Sequence, residues 1–128
     1  MIPFIFVLQF MVMKKAYYLS NCSTCKKIMA QINEPDSFQM QDIKTSPITL
    51  AQLEEMRELA GNYESLFSRK ALIYRSMGFN EKKLGEDDYK KWILQEYTFL
   101  KRPVFIVDHK IFIGNSKKVV EAFLFEIQ

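Results

Sequence analysis

Histidine is almost missing from this chain, and cysteine, tryptophan, glycine and proline are scarce. Its 128 residues contain one histidine, two cysteines, one tryptophan, four glycines and four prolines. A structural zinc site takes four ligands. Cys22 and Cys25 form one pair, no second pair exists, and His109 stands alone, so no metal is expected. Two cysteines this close are too few for a secreted disulfide scaffold and suit a reducing, cytoplasmic setting. No apolar run reaches the ~20 residues needed to span a bilayer, so no membrane role is expected. No long lysine or arginine block occurs, and a net charge of +3 is too weak to argue for direct nucleic-acid binding. Internal repeats, low-complexity stretches and linkers are absent as well.

What the chain does have is apolar mass. It is 48% hydrophobic and 14% aromatic, enough for a core that needs no disulfides. We expect a single domain over residues 13–128. Residues 1–12 are strongly apolar but too short to cross a membrane, and they lack the basic start and small-residue cleavage site of a signal peptide. Met13-Lys14-Lys15 resembles a natural start, so residues 1–12 are expected to be an upstream extension or a disordered tail. The alternative is a short membrane-associating or partner-binding tail.

Element order follows from period and punctuation. Lys15 to Ser20 reads as a first strand, Cys25 to Ile32 as the body of a helix stopped near Pro35, and Ser37 to Ile43 as a second strand. A strand, helix and strand of these lengths make a βαβ unit with parallel strands. Thr49 and Gln52 fit a capping box, with Leu50, Leu53, Met56 and Leu59 or Ala60 on one face and Gly61 at the end. Ala71 to Met77 is another turn or two, closed by Gly78. Asp87 or Asp88 caps a longer helix carrying Tyr89, Trp92, Ile93 and Tyr97. These segments form a helical insertion over about 49–98. The period then returns to two: Val104–Val107 and Lys110–Gly114 flank the two-residue turn Asp108-His109, an antiparallel hairpin. Ser116 caps a last helix with Val119, Val120, Phe123 and Ile127 inward. The order βαβ, helices, ββα is that of an α/β thioredoxin- or glutaredoxin-like sandwich with an inserted helical subdomain.

Cys22-Ser23-Thr24-Cys25 falls between the first strand and the first helix. A thiol reacts as its thiolate, and the free N–H groups of a helix start stabilise that anion. Cys22 is therefore the candidate nucleophile, with Ser23 and Thr24 supplying the turn and Lys26 and Lys27 adding charge. Cys25, one turn on, is the candidate resolving thiol. The bland alternative is two small thiols packed as apolar residues. The strand–turn–helix setting favours redox chemistry.

Pro103 opens the third strand. Only about 5% of X–Pro bonds are cis, but the element order raises that expectation here. A cis bond would turn a backbone carbonyl and N–H toward the cysteine loop, and Arg102 would then lie close to Cys22, able to grip an oxyanion or carboxylate. Arg69 and Lys70 form a second basic pair, which on residues alone reads as a solvated face. His109, in the hairpin turn, is expected at the surface.

Cys22-Ser23-Thr24-Cys25-Lys26-Lys27, Ser68-Arg69-Lys70, Leu100-Lys101-Arg102-Pro103-Val104 and Ile113-Gly114, in that order and spacing, resemble the arsenate reductase/Spx family from about Lys14 to Phe123. The resemblance implies a thioredoxin-like fold with a helical insertion, Cys22 as nucleophile and Arg102 as the arginine before a cis-proline. Glutaredoxin-linked arsenate reductases of this family bind the oxyanion with three arginines. Arg102 matches one and Arg69 lies near a second, but the third falls at Gly114 or Asn115. The histidine four residues before their cysteine is Tyr18 here. Both departures weigh against arsenate itself as substrate. Spx-like regulators carry the Cys-x-x-Cys switch, the Arg-Pro pair and the equivalent of Gly114. They bind the C-terminal domain of the RNA polymerase α subunit, partly through a glycine near the position of Gly61. A third branch of small reductases is thought to use glutathione.

The resemblance thus implies a thiol–disulfide oxidoreductase acting on a small oxyanion or on a glutathione-type or protein disulfide. Cys22 and Cys25 would be catalytic. Arg102, Arg69, Lys70, Pro103, Ser23 and Thr24 would bind substrate. No prosthetic group is expected; glutathione, glutaredoxin or thioredoxin would supply electrons. The alternative is a redox-switched regulator whose partner is the RNA polymerase α subunit.

Overall fold

A computed structural model describes residues 13–128. Residues 1–12, expected to be an extension or a tail, lie outside the described residues. Four strands form one sheet in the order β2-β1-β3-β4. They are β1 (Lys14–Tyr18), β2 (Gln39–Asp42), β3 (Val104–Val107) and β4 (Lys110–Ile113). β1 runs parallel to β2 and antiparallel to β3, and β3 is antiparallel to β4. The two-residue link fixes the hairpin register, with Val107 opposite Lys110 and Val104 opposite Ile113. His109 lies exposed in that turn, as expected.

Alternation along the central strands sorts side chains between two cores. Ala16, Phe105 and Val107 join Ile28, Ile32, Phe38 and Phe123. Tyr17, Val104 and Ile106 join Leu53, Met56, Phe67, Tyr89, Ile93 and Phe99. A period of two places successive residues on opposite sheet faces, so a wholly buried strand such as β3 serves both. The first core is clamped by α1 (Ser23–Met29) and α5 (Lys117–Glu126), where the Phe105 and Phe123 rings stack at 3.8 Å. Ser116 caps α5 by accepting the Val119 N–H.

The second core is covered by α2 (Leu50–Ala60), α3 (Leu72–Ser76) and α4 (Glu86–Gln95), all between β2 and β3 in the chain. Thr49 and Gln52 form the reciprocal capping box, and Gly61 closes α2 with φ of 95°, a left-handed conformation that a side chain would strain. Leu50 departs from the expected apolar face and is exposed. The start of α4 also differs: Gly85 is its N-cap, and Asp88 sits in the first turn accepting the Gly85 N–H at 2.8 Å. Tyr97 lies beyond α4, because Glu96 turns extended and the chain re-enters a short 3₁₀ turn at Tyr97–Phe99.

One long-range contact in this block matters for the site. Phe67 pairs with Leu100 in an isolated antiparallel bridge. The Ser68 N–H donates to the Phe99 carbonyl at 2.6 Å, and the Lys101 N–H to the Leu66 carbonyl at 2.8 Å. The Phe67 and Phe99 rings stack at 5.0 Å beneath it, and Tyr89 packs against Phe67 at 4.8 Å.

Candidate functional site

Cys22 is the N-cap of α1, half-buried, with φ of −97° and ψ of 116°. Its carbonyl begins the helix by accepting the Lys26 N–H at 3.0 Å. Its own N–H is taken by the Leu19 carbonyl. Backbone extended at the cap and helical one residue later turns the first free N–H groups toward the cap side chain. Partial burial pushes the Cys22 thiol up, but the backbone N–H groups of Cys25 and Thr24, the Cys25 thiol and the positive charge of Arg102 favour the anion and lower it below the ordinary value.

Cys25 is fully buried, packed into the larger core one turn along. Burial, opposed by a hydrogen bond from the Leu19 backbone and reinforced by the neighbouring Cys22 sulfur, pushes its thiol up to about 11. Both cysteines are free thiols. One environment therefore favours the anion and the other the neutral thiol, within a single turn of helix.

Cys22 opens onto a cavity of about 570 Å³. Arg69, Lys70, Lys101 and Arg102 line it, together with Asn115 and Ser116, over apolar walls that include Phe67 and Ile113. Among the described residues, four cationic side chains and no carboxylate line this space. The sequence places these residues far apart. The Phe67–Leu100 bridge brings the two basic pairs together, and the β4-to-α5 turn closes the far side.

Arg102 is held from behind. Its Nη1 donates to the Thr98 and Leu100 carbonyls at 3.2 and 3.3 Å, while its buried Nε has no partner among the described residues. The Arg102–Pro103 peptide bond is cis. Pro103 itself is buried, and its carbonyl accepts the Gly114 N–H at 2.9 Å rather than facing the cavity. The Arg102 carbonyl is likewise taken, by Asn115 Nδ2 at 3.4 Å.

Ser23 and Thr24 are exposed and do not line the cavity; Thr24 contributes its backbone N–H to Cys22. Lys26 and Lys27 are exposed in the last turn of α1, so the cation that acts on Cys22 is Arg102. Arg69 lines the cavity but is not merely solvated: its Nη2 donates to Glu64 Oε2 at 3.0 Å and to the Tyr89 hydroxyl at 2.9 Å. Residue reasoning missed Phe67, Ser68, Lys101, Asn115 and Ser116 as cavity residues. Ser116 carried a signal, its helix cap, but nothing local in the sequence says which space that cap borders.

The ArsC family model matches residues 17–123. The chain belongs to the ArsC family. Its similarity extends to both kinds of ArsC-family relative. The global transcriptional regulator Spx of Streptococcus mutans is 24% identical over 106 residues, covering 81% of this chain and 77% of that protein. The global transcriptional regulator Spx 1 of Bacillus cereus is 21% identical over 110 residues, covering 84% of each. Among solved structures, an arsenate reductase from Vibrio cholerae superposes with a TM-score of 0.72 at 13% identity, over 91% of this chain and 98% of that one. An arsenate reductase (ArsC) related protein from Brucella melitensis gives 0.60 at 23% identity, over 87% and 93%. At such identities the structural likeness establishes the ArsC thioredoxin-like fold. Among the described residues no helix is long and apolar enough to cross a membrane.

Proposed function

We propose that this ArsC-family protein is a thiol–disulfide oxidoreductase with Cys22 as nucleophile and Cys25 as resolving thiol. The observation that carries this reading is the opposed tuning of the two sulfurs: Cys22 is lowered by N–H groups, a thiol and Arg102, while Cys25 is raised by burial. In the first step the Cys22 thiolate attacks one sulfur of a substrate disulfide. A Cys22–substrate disulfide forms and the other half leaves as a thiolate, which takes a proton from solvent. Cys25 then loses its proton and attacks the Cys22 sulfur, forming the Cys22–Cys25 disulfide and expelling the second half as a thiolate. Two electrons have passed to the substrate. Two molecules of a thiol such as glutathione, leaving as its disulfide, or one dithiol protein of the thioredoxin or glutaredoxin type, leaving with its own cysteines bridged, restore the pair.

Loss of the Cys22 charge in the mixed disulfide removes one of the groups that raise Cys25. The resolving thiol thus becomes easier to ionise once it is needed. Arg102 and Lys101, with Arg69 and Lys70 opposite, would bind the anionic part of the substrate, a carboxylate of a glutathione-type thiol or a small oxyanion. The decisive experiment is disulfide reduction by Cys22→Ser. Turnover at the wild-type rate would end the proposal.

A second reading is favoured by the relatives named as Spx regulators. Here the Cys22–Cys25 bridge would alter a surface for the C-terminal domain of the RNA polymerase α subunit, near the exposed Gly61 turn. Capture of that domain by one redox form and not the other would support it. Equal absence of binding under oxidising and reducing conditions would remove it.

A further inference from the structure

Among the described residues, Arg69 is the one cation of the cavity that already carries a carboxylate. Glu64 Oε2 accepts from Arg69 Nη2 at 3.0 Å and from the Tyr89 hydroxyl at 3.2 Å, while that hydroxyl also accepts from Arg69 Nη2 at 2.9 Å. The three groups close a triangle, and of the three Arg69 lines the cavity. The guanidinium also lies over the Tyr89 ring, 5.5 Å from its centre. Both described side-chain hydrogen bonds of Arg69 leave from the same nitrogen, so the remaining edge of the fork is not committed to Glu64.

The Glu64 backbone is pinned by Glu86, whereas its side chain is held through the exposed contacts to Arg69 and Tyr89. Glu86 accepts the N–H groups of Tyr63 and Glu64 at 2.7 and 3.0 Å, which pins the turn at its base. The Glu64 side chain is 56% exposed and that of Arg69 45%. An ion pair this open is weak, because water and salt screen it and two long side chains must be held still. Another anion can therefore replace Glu64 at small cost.

We propose that Glu64 is a specificity residue: it is an internal competitor that occupies Arg69 and yields it to the anionic group of an incoming substrate. The inference deepens the reading of the cavity given above and rests on it for the word substrate. Its chemistry is independent of turnover. With Glu64 in place, Arg69 already has an anionic partner, and a singly charged ligand is held by Lys70, Lys101 and Arg102. A ligand with a second anionic group gains Arg69 as well, but only by displacing Glu64. The clasp thus selects for ligands whose second charge can reach Arg69.

The test is a titration with inorganic phosphate, followed at the arginine Nε–H signals by NMR on the full chain. Wild type, Glu64→Gln, Arg69→Gln and the double variant are compared at low ionic strength. Glu58→Gln, on the exposed side of α2, measures the effect of removing a negative charge elsewhere. Glu64→Gln is expected to tighten phosphate about threefold beyond the Glu58→Gln control, within the range of an exposed pair. The gain is expected to vanish in the Arg69→Gln background, because the two effects share one contact. An equal gain with and without Arg69, a gain no larger than that of Glu58→Gln, or no saturable phosphate binding in any variant would overturn the clasp. Phosphate binding needs no thiolate, so a failure of the exchange chemistry shows only in the Cys22→Ser turnover assay.

Discussion

Phe67 and Leu100 face each other across one antiparallel bridge, and that bridge decides where the positive charge of this protein sits. Arg69 and Lys70 follow Phe67; Lys101 and Arg102 follow Leu100. The two flanking hydrogen bonds, Ser68 to Phe99 and Lys101 to Leu66, hold the pairs on one cavity with Cys22. Stacked aromatic rings beneath the bridge make it rigid.

Alkylation should therefore discriminate the two thiols. Iodoacetamide at neutral pH is expected to modify Cys22 first, with a half-maximal rate at a lower pH than for an ordinary thiol. Cys25 is expected to stay protonated until pH approaches about 11. Peptide mass spectrometry across pH reads both. First modification at Cys25, or an ordinary titration at Cys22, contradicts the assignment.

The same split sets a stability trend. Cys25 is raised on folding, so the unfolded chain loses that proton first as pH rises. Its contribution to stability is complete below the unfolded thiol value and declines as pH climbs toward about 11. Cys22 is lowered, so its contribution is present above the unfolded value and is lost as pH falls through the folded one. Urea midpoints of the reduced protein should fall between about pH 9 and 11 because of Cys25. In Cys25→Ala that part of the slope should be absent; an unchanged slope argues against the shift.

Arg102→Gln should slow Cys22 alkylation at pH 7 by about threefold to tenfold, since it removes the charge that favours the thiolate. Arg102→Lys is expected to recover only part of the rate. A lysine cannot use one nitrogen on the Thr98 and Leu100 carbonyls and direct another at the cavity. Full rescue by lysine would show that the fork geometry is unimportant.

The cavity's charge should also appear in substrate choice. Reduction of an acidic mixed disulfide should exceed that of a basic one, and the ratio should shrink as salt rises from about 0.01 to 0.5 M. A salt-independent ratio would mean that the four cations do not meet the substrate.

Phe99→Ala should cost about 3–5 kcal/mol in urea unfolding, because the fully buried ring underlies the bridge. Thr49→Ala should cost only about 1 kcal/mol and leave Cys22 reactivity unchanged, since its effect ends at the α2 cap. Loss of reactivity in the Thr49 variant would point to a coupling across the helical block.

Local chemistry made much of this molecule legible before any coordinates. A dense β run gave β3, the two-residue link gave its hairpin with β4, Thr49 with Gln52 gave the start of α2, and the strand–turn–helix setting placed Cys22 and Cys25 at the start of α1. These features depend on neighbours within a few residues, and a sequence displays such neighbours directly. Leu50 and the start of α4 went astray because an apolar residue at a helix start need not reach the core, and because an aspartate in the first turn mimics one at the cap.

The assembly of the site was a different matter. That Arg69 shares a space with Arg102, that Glu64 occupies Arg69, and that Asn115 and Ser116 close the cavity all depend on contacts between distant segments. Those contacts are made by packing Phe67 on Phe99 and by the crossing of strands, and no local pattern encodes which surfaces such packing brings face to face. The order of residues was enough to place the two cysteines and the elements that carry them; which charges surround them came from the folded chain, because electrostatic neighbours are set by distance in space and not by distance along the chain.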